Sequence, residues 1–92
     1  MNINKKIAVV TGGASGLGRA ASQLLVDAGA TVIIFDMNES AGEQAVAELG
    51  AGSSRYMQLD VSSGPDVESA FENILEEFGR VDICVNCAGI GI

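Results

Sequence analysis

Short apolar runs recur about every 25 residues along the chain, and the stretches between them carry apolar residues at helical spacing. "KIAVVT" (6–11), "TVIIFD" (31–36), "RYMQLD" (55–60) and "VDICVN" (81–86) predict four strands, the first two rich in β-branched residues. Leu17, Ala20, Ala21, Leu24, Leu25 and Ala28 follow i, i+3, i+4, i+7, i+8, i+11, and Val67, Ala70, Phe71, Ile74, Leu75 and Phe78 repeat that series. These spacings predict two helices, each with one apolar stripe turned inward. A weaker helix over 40–49 would bury Ala41, Ala45, Val46 and Leu49, with Ser40 and Glu43 as a capping box. Gly29, Gly50 and Gly79 stand just past the three helices, and Ser63, Pro65 and Asp66 mark the start of the third.

Alternation of this kind predicts a βαβαβαβ order. Right-handed crossovers make the strands parallel and place helices on both faces, which is the N-terminal part of a Rossmann-type, doubly wound α/β fold. At 92 residues there is room for one domain and no second.

In an open parallel sheet, ligands bind beyond the carboxyl ends of the strands. The unusual residues fall at those ends: Thr11 to Gly18 after the first strand, Asp36 after the second, Asp60 after the third and Asn86 to Gly89 after the fourth. Gly12, Gly13, Gly16 and Gly18 are more glycines than a tight turn needs. They let main-chain N–H groups approach a diphosphate at the positive end of a helix. A nucleoside triphosphatase loop is a near miss over Gly13 to Ala20, but Arg19 and Ala20 stand where the Lys and the metal-binding hydroxyl belong.

The glycine spacing T-G-x-x-x-G-x-G resembles that of the short-chain dehydrogenase/reductase family, and "DV" (60–61) and "NCAG" (86–89) are similar to its later motifs, with Cys87 in place of an Asn. The resemblance covers essentially the whole chain. It implies an oxidoreductase that oxidises a secondary alcohol to a ketone. Gly12, Ser15, Gly16, Leu17 and Gly18 would surround a pyrophosphate, Asp60 and Val61 would meet adenine, and Asn86, Ala88 and Gly89 would line the adenosine side. "VTGGASGLG", "FGRVDICVNCAGI" and Asp36 together are most similar to the branch that acts on 3-hydroxyacyl-CoA thioesters.

Asp36 ends the second strand, where a carboxylate accepts hydrogen bonds from ribose hydroxyls and repels a 2′-phosphate, so NAD is the expected cofactor. Ser15 and Met37 occupy positions at which relatives that use the phosphorylated form often carry a basic residue; Arg19 is the nearest cation.

The family's catalytic Tyr and the Lys four residues after it find no counterpart. Tyr56 is the single tyrosine, the residue four further on is Asp60, and Lys5 and Lys6 precede the sheet. The expectation is therefore a cofactor half-site, inactive by itself, from the N-terminal portion of a longer dehydrogenase that forms a dimer or tetramer. A non-enzymatic nucleotide-binding or regulatory fragment is the alternative.

Charge and cysteines narrow this further. Twelve acidic residues against five basic ones, a net −7, oppose a nucleic-acid role. No apolar run is long enough to span a bilayer or serve as a signal peptide, which points to the cytoplasm. "CVNC" reads as a strand that separates Cys84 and Cys87 by about 10 Å, too far for a disulfide, and lacks further zinc ligands. Both thiols are expected to be plain and buried.

Overall fold

A computed structural model describes residues 2–87. The chain runs β1 (Ile7–Thr11), α1 (Gly16–Asp27), β2 (Thr31–Asp36), α2 (Glu39–Leu49), β3 (Ser54–Gln58), α3 (Gly64–Phe78), β4 (Ile83–Asn86). The strands form one parallel sheet in the order β3-β2-β1-β4. The order reverses between β1 and β4, so the crossovers diverge there and leave a crevice at the carboxyl ends.

Apolar residues of β2 lie on both faces of the sheet because the strand is central. Val32, Ile33, Ile34 and Phe35 are fully buried, each stabilising by about 1.5 to 3 kcal/mol. On one face Val9, Ile33 and Phe35 pack with Ala70 and Ile74 of α3, and the Phe35 and Phe71 rings meet edge to face at 5.5 Å. On the other, Val10, Val32 and Ile34 pack with Ala45 and Leu49 of α2 and Leu25 of α1.

Four local readings change. Strand β3 ends at Gln58 rather than residue 60, because the chain turns at Asp60, whose carbonyl accepts the Ser63 N–H. Strand β4 begins at Ile83 because the Asp82 side chain is engaged with the Ile7 N–H. Helix α2 is capped by Asn38, whose side chain accepts the Ala41 N–H, not by a Ser40–Glu43 box. Cys84 is exposed and Cys87 half-buried, contrary to the buried reading, because β4 is the sheet's edge among the described residues.

Helix α1 also faces differently from its apolar count. Gly18 and Ser22 are buried, while Leu17 and Leu24 are 54% and 71% exposed. The small residues let the helix lie close to the sheet, and Leu25 and Val26 complete the inward side. In α3 the expected stripe holds except for Leu75, which is half-exposed. Gly29, Gly50 and Gly79 all adopt positive φ beyond their helices; Gly79 takes the left-handed conformation expected there, whereas Gly50, at φ 106 and ψ 125, does not.

Candidate functional site

A cleft of about 810 Å³ opens at the carboxyl rim of the sheet, within the usual range for a small-molecule site. Its first wall is the turn from β1 into α1: Gly12, Ser15, Gly16, Leu17 and Gly18. Two glycines here have separate reasons. Gly16 holds φ +58, and a Cβ built on it would meet nothing within 4 Å, so the main chain faces open space. Gly18 has a neighbour instead: a Cβ there would overlap the Gly12 carbonyl, so only glycine lets α1 start this close to its own turn. Ser15 caps α1 with extended backbone but makes no side-chain cap bond, and the first turn carries no acidic residue. That leaves a helix start suited to an anion supplied from outside.

The second wall is the exit from β2, with Phe35, Asp36 and Met37. The Asp36 carboxylate is fixed at both oxygens. Oδ2 accepts the Ala14 N–H at 3.2 Å and Oδ1 the Asn38 N–H at 3.0 Å. The β2 carboxylate is thus tied directly to the glycine turn.

Leu59, Asp60, Val61 and Ser62 form the third wall. Asp60 accepts the Ser62 hydroxyl at 2.6 Å and the Ser62 N–H at 2.9 Å. Those bonds, the hydroxyl's first and the amide's second, hold the Asp60 carboxyl below its ordinary value. Asp60 therefore shapes the turn into α3 as well as lining the cleft.

Cys87 closes the cleft on the β4 side. Its N–H reaches both the carbonyl and the hydroxyl of Thr11. Asn86 stands beside the cleft rather than in its described lining; its side-chain oxygen accepts the Thr11 hydroxyl at 2.7 Å and ties the ends of β1 and β4 together. Ala88 and Gly89 lie outside the described residues.

Leu17, Met37 and Val61, three of the five exposed large hydrophobic residues among those described, border this one cleft. Exposed apolar side chains gathered around a polar turn suit a flat, partly apolar guest such as adenine. Phe35, Met37, Leu59, Ser62 and Cys87 had no place among the expected cofactor-binding residues. Each adjoins a residue that did, and a strand-end neighbour is the signal that could have found them.

Charge is divided between the two ends of the sheet. The charged residues of the described cleft lining are Asp36 and Asp60 alone. Lys5 and Lys6 precede β1, and Arg80 binds the Lys5 carbonyl and Asp82 at the amino ends. Arg55 pairs with Glu77, and Arg19 with Glu48 of α2 at 3.3 Å, so Arg19 is committed to the helix pair and is not part of the described lining. Phosphate held in this cleft would be met by main-chain N–H groups rather than by cations.

Tyr56 is no acid/base candidate. Its hydroxyl donates to the Asp36 carbonyl at 2.8 Å, and burial, followed by Asp36, Glu39 and Glu43, pushes the phenol above its ordinary value. Among the described residues no helix is long and apolar enough to cross a membrane.

Residues 6–92 match the family described as short chain dehydrogenase. The chain is 46% identical over 86 residues to 3-hydroxyacyl-CoA dehydrogenase type-2 of Bos taurus, covering 94% of this chain and 33% of that protein. Against cyclopentanol dehydrogenase of Comamonas testosteroni it is 44% identical over 90 residues, 96% of this chain and 36% of that one. A crystal structure of a short chain dehydrogenase from Bacillus anthracis superimposes with TM-score 0.86 at 32% identity, over 91% of this chain and 34% of that chain. The 3-ketoacyl-(acyl-carrier-protein) reductase of Brucella melitensis, solved with NADH, gives TM-score 0.83 at 33% identity over 89% of this chain and 34% of its own. The chain thus spans about a third of the length of these relatives.

Proposed function

The chain belongs to the short-chain dehydrogenase family, and on that premise we propose that it forms the NAD-binding portion of an oxidoreductase that converts a secondary alcohol to a ketone. The observation that carries this reading is the cleft itself: a glycine-built helix start with no side-chain cap bond, joined by the Ala14 N–H to the Asp36 carboxylate, with no cation in the described lining. The residues present fit a dinucleotide. Gly16 leaves main-chain space for the pyrophosphate, Gly18 lets α1 start close to the turn, Asp36 accepts the adenosine ribose hydroxyls, and Val61, Leu17 and Met37 give adenine apolar surfaces. Bound nicotinamide supplies the hydride acceptor.

Residues 1–92 form the N-terminal part of a single dinucleotide-binding domain in this reading. The acid/base and substrate residues belong to the rest of the parent enzyme, because Tyr56 is committed to Asp36 and has no lysine at position 60. The relatives named above support two substrate classes, a 3-hydroxyacyl-CoA thioester and a small cyclic alcohol, of which we favour the thioester on identity. The parent is proposed to assemble as a dimer or tetramer.

Titration of the intact protein with NAD and with its 2′-phosphate form tests the cofactor assignment. A phosphate dianion a few Å from Asp36 is opposed by about 1 to 4 kcal/mol, so NAD should bind at least about fivefold more tightly. Asp36→Ala should narrow that ratio, and equal affinities in the unaltered protein would remove Asp36 from its role. The 92-residue chain alone should bind NAD without turnover; turnover by the isolated chain would contradict the half-site reading, whereas a parent gene that stops at this length would favour a purely nucleotide-binding protein.

A further inference from the structure

Tyr56 and Gly42 lie outside the cleft lining and have no part in the cofactor assignment above, yet together they hold the backbone from which Asp36 projects. Tyr56 is registered opposite Ile34, two residues before Asp36 on the neighbouring strand. Two residues of strand span about 6.5 Å, and the tyrosine ring covers that distance along the face beneath α2. Its hydroxyl donates to the Asp36 carbonyl at 2.8 Å, an oxygen that the Leu59 N–H also approaches at 3.3 Å. The next carbonyl, that of Met37, accepts from the Gln58 side chain. The β2 exit is therefore fastened to β3 at two consecutive residues.

The ring has room only because residue 42 lacks a side chain. A Cβ on Gly42 would overlap Cδ1, Cε1 and Cζ of Tyr56. Glycine inside a helix is unfavourable by about 1 kcal/mol relative to alanine, and Gly42 adopts no positive φ that would require it. The tyrosine ring is the reason visible in the structure. Burial first, and then the charges of Asp36, Glu39 and Glu43, push the phenol above its ordinary value, so its hydroxyl remains a donor.

The geometry points to Tyr56, seated against Gly42, as a positioning residue for cofactor specificity: it fixes the Asp36 main chain so that the carboxylate stays between the Ala14 N–H and the ribose position. This rests on the reading that Asp36 selects NAD. With the Tyr56 hydroxyl removed, the β2 exit can rotate, and Asp36 can turn away from a 2′-phosphate that it otherwise repels.

The test measures dissociation constants of the intact protein for NAD and for its 2′-phosphate form in the unaltered protein, Tyr56→Phe and Gly42→Ala, with a melting curve for each. Tyr56→Phe should reduce the NAD preference by about three- to tenfold, the effect of one intramolecular hydrogen bond, chiefly through tighter binding of the 2′-phosphate form. A merely structural role would weaken both cofactors equally and leave the ratio unchanged. Gly42→Ala should displace the ring and lower the ratio in the same direction. If the unaltered protein prefers NAD and both variants keep that preference, the positioning role is overturned while Asp36 keeps its assignment. If the unaltered protein shows no preference, the Asp36 reading fails, and the role of Tyr56 fails with it.

Discussion

A single missing methyl group decides how close α1 can come to the turn before it. At Gly18 a Cβ would coincide with the Gly12 carbonyl, and neither atom can yield without moving main chain. Gly18→Ala should destabilise the fold by about 1 to 3 kcal/mol, the usual effect of overpacking, and weaken NAD binding more than tenfold by shifting the first-turn amides. Denaturant unfolding and cofactor titration check both; an alanine variant with unchanged stability and affinity would contradict the close-approach account. Gly18 was legible from its motif, as was Asp36 from its place at a strand end. The long-range bonds that fix Asp36 were not, because they join Ala14 and Tyr56, residues 22 and 20 positions away, and sequence spacing carries no information about such pairs until the strand register is known.

At the scale of elements, the order of strands and helices followed from apolar runs and glycine stops, but the face of α1 did not. Counting apolar residues selects Leu17, Ala20, Ala21, Leu24, Leu25 and Ala28, of which Leu25 packs against the core, whereas the residues α1 buries are Gly18 and Ser22. A hydrophobic pattern cannot register that a helix packed closely prefers small residues at the contact, nor that Ser22 satisfies its hydroxyl on the Gly18 carbonyl at 2.8 Å. The polar residues just before β4 were equally opaque. The Asp82 Oδ2 atom accepts the Ile7 N–H and the Arg80 guanidinium, each at 2.8 Å, and so joins the amino ends of β1 and β4. The Ile7 N–H, with Arg80 and Lys6 adding to it against partial burial, holds the Asp82 carboxyl below its ordinary value.

A carboxyl lowered in the folded state stabilises above its unfolded pKa, and that contribution is lost as pH falls through the folded value. Asp82→Asn should therefore melt below the unaltered protein at neutral pH. The gap should persist down to about pH 4, near the unfolded carboxyl value, and shrink at lower pH. Thermal melts across about pH 2.5 to 7 check this. A gap that is constant with pH, or one that widens in acid, would remove Asp82 from the clamp.

For the molecule as a whole, the division of charge matters more than its total. A net charge of −7 speaks against a polyanionic partner, yet the site proposed here takes a pyrophosphate. The two are compatible because the binding groups are oriented main-chain amides at a helix start, whose partial charges act at short range and need no cation. All five basic side chains lie at the opposite rim or in ion pairs between elements. Composition could show the excess of acid but not its placement, which depends on the strand order β3-β2-β1-β4.

The central claim is that one rim of this sheet holds an adenine dinucleotide, and residue-resolved NMR of the isotope-labelled intact protein titrated with ADP-ribose tests it most directly. The account predicts that the largest amide shifts fall on Gly12, Gly16 to Gly18, Met37 and Val61, around the cleft. Largest shifts in the smaller groove between β3 and α3, at Arg55, Met57, Asn73 and Phe78, would contradict it.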